Sequence, residues 1–165
     1  MPPSPEVTIR RIGGAQEQEA CARLMARSEP WLTLRRDAAG LRRVLADGTK
    51  EVYVAVVGEA VAGLIVIDMQ GACSGYIQAV CVVPRWRGQG VGGVLLDFAE
   101  ARIFREKPNV FLCVSSFNQG ARRFYLRRGY EEVGVLKDYI VAGYDEILLR
   151  KSIAPWDAFE PRSAA

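Results

Sequence analysis

Histidine is absent from the chain, and lysine is scarce, since most of the 22 basic residues are arginine. Without histidine, a Ser-His-Asp or Cys-His hydrolase in its usual form has no base. A zinc site also loses its common nitrogen ligand, and the four cysteines, Cys21, Cys73, Cys81 and Cys113, form no C-x-x-C pair to replace it. No metal is expected. Cys81 and Cys113 lie within apolar runs and read as packing residues rather than chemistry. No apolar run reaches the length of a membrane helix. The N-terminal MPPSPEVTIRR has no apolar stretch of the kind that secretion signals carry, so a cytoplasmic location and no membrane partner are expected. A net charge of +3, with no basic stripe interleaved with aromatics, falls short of a nucleic-acid footprint. Repeats and domain linkers are missing too. The 165 residues, 50% hydrophobic and 25% charged, suit one globular domain with a core over about 7–153 and a flexible polar tail at 154–165.

What the chain does have is concentrated between Tyr76 and Glu106. YIQAVCVV has the length and β-branched content of a buried strand. Pro84 opens a turn, Gly88, Gly90, Gly92 and Gly93 follow, and then Val91, Val94, Leu95 and Phe98 fall at helical spacing. A strand, a glycine-rich loop and a helix together hold phosphate. The helix start offers unpaired N–H groups and a partial positive charge, and glycine leaves those groups uncovered. A P-loop is excluded by the missing Lys-Ser/Thr pair. Gly88, Gly90 and Gly93 spell a dinucleotide-binding G-x-G-x-x-G, but PRWR separates the strand from the glycines. The next strand, VFLCVSS, also carries no carboxylate for a ribose. The pyrophosphate loop of acetyl-coenzyme A fits better.

The segment resembles motif A of the GCN5-related N-acetyltransferase (GNAT) family, Q/R-x-x-G-x-G/A. Arg87, Gly90 and Gly92 stand at its defined positions, after Val82-Val83-Pro84. Residues 118–130, NQGARRFYLRRGY, look like motif B, N-x-x-A-x-x-F/L-Y-x-x-x-G-F/Y. The resemblance covers about residues 76–136. It implies an α/β (α+β) GNAT acyl-CoA N-acyltransferase fold: a mostly antiparallel mixed sheet with a central, splayed parallel pair and helices on both faces. It also implies acetyl-CoA as cosubstrate and an amine acceptor. A monomer or a homodimer is expected.

The order of elements agrees with that fold. Strands are expected at Val7–Ile12, Glu51–Val57, Ala60–Asp68, 76–83, Val110–Val114, Tyr130–Leu136 and Tyr144–Ile153. Helices are expected at Gln16–Arg27, from an N-cap at Asp37 to Ala46 with Gly48 ending it, over about 90–106, and at Gln119–Arg128 before Gly129. Gly58-Glu59 suits a two-residue hairpin of type II′.

Under this resemblance the backbone of Gly88, Gln89, Gly90, Val91, Gly92 and Gly93 holds the pyrophosphate, with Arg87 or Arg85 nearby. Val80, Cys81 and Val82 offer backbone groups to the pantetheine arm. Asn118 and Tyr125 lie about two helical turns apart, so one helix face can present both. By resemblance Asn118 bonds the pantetheine, and Tyr125 protonates the leaving sulfur; the structural alternatives are a capping Asn and a packed core Tyr. The base is not given by any motif. Tyr76 stands where some family members carry a glutamate, which leaves Glu29, Asp68, Asp138, Glu146 or a water oriented by Gln78. Ser28–Leu34, 69–75 and Lys137–Gly143 are expected to surround the acceptor, bringing Glu29, Trp31, Asp138 and Tyr139 to a cation with an apolar stem. A domain that binds acyl-CoA without turning it over is the alternative function, and a nucleotide-binding oxidoreductase a distant third.

Overall fold

A strand can feed two cores when both its faces are covered, and Ala60–Asp68 does so. Leu64 and Val66 enter one apolar cluster and Ile65 and Ile67 the other. This strand is β3 of a computed structural model that describes residues 4–163. The elements are β1 (Thr8–Arg11), α1 (Ala15–Ala26), α2 (Ala38–Leu45), β2 (Glu51–Val57), β3, β4 (Tyr76–Val82), α3 (Val91–Phe104), β5 (Asn109–Ser115), α4 (Gln119–Arg127), β6 (Glu131–Leu136) and β7 (Glu146–Ser152). One seven-stranded sheet runs in the order β1-β2-β3-β4-β5-β7-β6, and among the described residues only β4 and β5 pair in parallel. Cys21, Met25, Leu41 and Leu45 of α1 and α2 cover one face. Val91, Leu95, Ala99 and Ile103 of α3 cover the other. The fold class is the one expected.

Local chemistry accounts for the element ends. Asp37 caps α2, its carboxylate accepting from Gly40 N at 2.7 Å. The β2–β3 hairpin closes with Val57 opposite Ala60, and of the two linking residues only Gly58 has a positive φ, of 61°, as a type II′ turn requires. Two expectations need correction. Gly48 does not end α2: the cap is Ala46, whose N–H bonds Arg42 O, and Gly48 lies in the next turn. Val94 of α3 faces outward, while Leu96 and Ala99 are buried, because α3 packs flat on the sheet around Leu95. After β7, Trp156–Ala158 forms a 3-10 turn and Arg162 N–H donates to Arg105 O at 2.8 Å.

The feature that positions the site is the parting of β4 from β5. Their parallel pairing is limited to Tyr76 with Phe111 and Ile77 with Leu112, although both strands continue. At that point β4 carries one extra residue. Val66 faces Ala79 and Ile67 faces Ile77, leaving Gln78 without a partner on β3. Such a bulge bends its strand and increases twist. It also moves the buried residues to the other face, since Ile77 belongs to the α3-side core and Ala79 and Cys81 to the α1–α2 side. Gly63 accommodates the bent strand: a Cβ there would lie 2.6 Å from Cys81 O.

Candidate active site

From Gln78 onward, β4 turns a backbone without a β5 partner toward the gap. The chain then passes through Pro84–Trp86 into the glycine loop. Gly90 holds the N-cap of α3 in a left-handed conformation, φ 89°, with no side chain capping the helix. Val94 N is the first amide to reach back, to Gly90 O at 3.1 Å. The N–H groups of Val91, Gly92 and Gly93 therefore belong to the open first turn, where an anion is favoured. Gly88, Gly90, Gly92 and Gly93 line a cavity of about 630 Å³ together with Val80, Cys81 and Val82. Arg87 joins its wall, and its Nε donates to Val82 O at 3.1 Å. Arg85 instead lies over the Trp86 ring, with 5.5 Å from guanidinium carbon to centroid. Gln89 donates to Arg85 O at 2.8 Å, and Val91 is buried beneath the loop; neither side chain lines the cavity, so each has only backbone to offer.

Asn118 and Tyr125 reach the same gap from α4. Asn118 caps that helix, its Oδ1 accepting from Ala121 N at 3.3 Å. The structural role weighed from sequence is thus present, and the amide N–H groups of the side chain stay free of other described residues. Tyr125 is buried among Phe124 and Tyr130, with ring centroids 5.4 and 5.8 Å away in edge-to-face contact. Its hydroxyl bonds no other described residue. Burial alone pushes its phenol up to about 12, so it stays protonated near neutral pH. Arg128 ties the end of α4 to the start of α3 through Gly93 O and Asp97.

A second cavity, of about 160 Å³, adjoins the first. Trp31, Val80, Asn118, Ala121 and Tyr125 line both. Beyond them this cavity meets Tyr76, Gln78, Cys113, Ser115, Tyr139 and Glu146. It opens into a third, of about 370 Å³, bounded by Trp31, Leu34, Leu41, Val44, Tyr139 and Ile140. Glu29 also lines the first two, with its carboxylate held by Thr33 N at 3.2 Å and Thr33 Oγ1 at 2.9 Å. Asp138 is not brought there: it lines none of the three, and its carboxylate accepts from Gly143 N at 2.6 Å inside its own loop. The 69–75 loop lies at the far end of β4 and lines none of them either; α2 supplies that wall. Leu34 and Ile140 come from the two segments expected to surround the acceptor, whereas sequence reasoning assigned no lining role to Trp86, Phe124 and Ser115, which also line these cavities. Ser115 had a signal, because it ends a strand of the parallel pair, where ligands gather.

Comparison with known proteins gives a consistent result. A model of the acetyltransferase (GNAT) domain matches residues 15–143. An uncharacterised N-acetyltransferase of Methanocaldococcus jannaschii is 36% identical over 101 residues, which span 60% of this chain and 64% of that protein. A GNAT-family protein of Desulfovibrio desulfuricans superposes with a TM-score of 0.75 at 21% identity, covering 90% of this chain and all of the other (100%). NAA60 of Arabidopsis thaliana, solved with a bisubstrate analogue, gives 0.72 at 19% identity over 90% and 98% of the two chains. An aminoglycoside 6′-N-acetyltransferase in complex with coenzyme A gives 0.71 at 17% identity over the same shares, 90% and 98%. Among the described residues no helix is long and apolar enough to cross a membrane. With most of its length matched by the domain model, and with the glycine loop and the parted strands in place, this chain belongs to the GNAT acetyltransferase family.

Proposed function

We propose that the chain transfers the acetyl group of acetyl-CoA directly to a primary amine, with Tyr125 as general acid. The observation that carries this reading is the shared wall of two cavities. Val80, Asn118, Ala121 and Tyr125 line both the glycine-loop cavity and the one beyond it, so a thioester coming from one side and an amine from the other meet beside the Tyr125 hydroxyl. Holding the two reactants in that geometry supplies much of the rate.

In this scheme the helix start and Arg87 hold the pyrophosphate, β4 backbone from Val80 to Val82 takes the pantetheine arm, and the Asn118 amide donates to it. The neutral amine attacks the acetyl carbonyl, forming C–N and giving a tetrahedral species with a cationic nitrogen. As the C–S bond breaks, the sulfur takes the Tyr125 proton, and Tyr125 recovers one from that nitrogen. A phenol held near 12 does not ionise ahead of the reaction, so donation and recovery proceed together.

Thiol release from acetyl-CoA across an amine panel tests the reading. Tyr125→Phe should lower kcat by about a hundredfold or more, while heat stabilisation by acetyl-CoA is kept. Wild-type activity in Tyr125→Phe would show that the thiolate leaves without this proton. Tight acetyl-CoA binding with no turnover on any amine would favour the non-catalytic acyl-CoA-binding domain.

A further inference from the structure

Among the described residues two glutamates are buried, and they are treated differently. Glu100, 9% exposed, has Lys151 Nζ at 2.8 Å and the Tyr130 hydroxyl at 3.1 Å. Glu146, 3% exposed, has a single hydrogen-bond partner among the described residues: Ser115 Oγ donates to its Oε1 at 2.6 Å. The two residues face one another across β5 and β7, at the ends of those strands that open on the gap. No lysine or arginine pairs with Glu146 among the described residues. A buried carboxylate loses its hydration, and in Glu100 a cation offsets that loss; in Glu146 only the Ser115 hydroxyl does so among the described residues, and in part. Yet Glu146 lines the cavity that also holds Tyr125, Asn118 and Val80.

We propose that Glu146 receives the ammonium group of the acceptor and takes its first proton, and that the acceptor is a monoamine carrying an apolar group beside the amine. The proposal rests on the acetyltransferase reading above and names the substrate class and the base for it. The acceptor supplies the cation that the fold withholds. The body of the acceptor then lies where Trp31, Leu34, Tyr76, Tyr139 and Ile140 line both acceptor-side cavities. The other acids are already engaged: Thr33 holds Glu29, and Lys50 Nζ lies 2.6 Å from Asp68. Lys50 and Asp68 line the third cavity as a neutralised pair, while Arg36 lines it without an ion-pair partner among the described residues, which disfavours a second or third positive charge on the acceptor.

The proton balance is simple. Carboxylate and ammonium become carboxylic acid and neutral amine, and the amine's lone pair forms the C–N bond. The second nitrogen proton leaves through Tyr125, and Glu146 returns its own to solvent after the product departs. The ionisable groups facing Glu146 are Tyr76 from β4, Cys113 from β5, Tyr125 from α4, Glu29 from the segment between α1 and α2, and Tyr139 from the β6–β7 loop; none is a cation. Burial raises the Glu146 carboxyl above its usual value, and the Ser115 bond pulls it back part of the way. A base so raised is better matched to an ammonium than an exposed glutamate is.

The test compares wild type, E146Q and S115A with four acceptors: phenethylamine, leucinamide, spermidine and kanamycin. Wild type should favour the first two by about tenfold or more in kcat/KM. E146Q should lose about a hundredfold in kcat/KM for the amine, while KM for acetyl-CoA and heat stabilisation by acetyl-CoA stay unchanged. S115A, which keeps the carboxylate, should move the acidic limb of the kcat/KM profile to higher pH. Wild-type activity in E146Q, an unmoved limb in S115A, or preference for spermidine or kanamycin would each overturn the proposal while leaving acetyl transfer intact. Absence of turnover with every amine in wild type would instead overturn the proposed activity, and this assignment with it.

Discussion

At the scale of single residues, Glu146 makes a claim on stability that is separate from any role with substrate. Its carboxyl is raised in the folded chain by burial, above the 4.5 of an exposed glutamate. The unfolded chain therefore ionises first as pH rises, and folding loses free energy from that point through the higher folded value. The sign is that of a stabilising protonated form: the contribution is present below about pH 4.5 and absent at neutral pH. Glu146→Gln should thus unfold at a higher temperature than wild type near neutral pH, with the gap narrowing toward about pH 4. Thermal unfolding across that range checks it, and a gap constant with pH would mean that Glu146 is ionised as easily as an exposed acid. The same residue shows where sequence reading ends. Tyr125 and Asn118 stood out because a spaced motif surrounds them. Glu29, Asp68, Asp138 and Glu146 look alike in one dimension. Only the fold gives Thr33 to the first, Lys50 to the second, Gly143 to the third and, among the described residues, no cation to the last.

At the scale of elements, the loop before α3 separates two kinds of glycine. Gly90 needs its left-handed backbone, φ 89°, so any side chain there strains the helix start itself. Gly92 does not: its φ is ordinary, and a Cβ would meet Val82 Cγ2 at 3.6 Å and Phe124 Cζ at 3.9 Å, normal contact distances. Gly92→Glu should therefore fold and place a carboxylate at the anion site. Heat stabilisation by acetyl-CoA should disappear, while the unfolding temperature of the free protein changes little. An undiminished shift with acetyl-CoA would place the pyrophosphate elsewhere. Elements of this kind were legible because their chemistry is local, as with the Asp37 cap, the Gly58 turn and the glycine loop. The face of α3 was not, because α3 is apolar nearly all round and only the sheet beneath it selects Leu96 and Ala99 over Val94. Gly48 misled for a related reason: turning the chain after α2 required no left-handed residue.

At the scale of the whole molecule, the mixed sheet and its splayed central pair were expected through the resemblance to a known family, whereas the bulge at which the strands part was not. Nothing in YIQAVCVV marks Gln78 as an extra residue; the mismatch exists only relative to β3. A further consequence concerns the unpaired stretch of β4. A sheet normally keeps its free edges at its rims, where β1 and β6 lie here, and such edges invite other strands. This sheet has one in its interior as well, where β4 runs on past its last β5 partner along the glycine-loop cavity, and an extended molecule can lie there as an added strand. The free protein should accordingly exchange the β4 amides between Gln78 and Val82 that point away from β3 as fast as a surface rim. With acetyl-CoA bound they should slow to the rate of the sheet centre, leaving the amides bonded to β3 as they were. Deuterium uptake by this one strand would then report, before any product is made, whether the sheet has been completed.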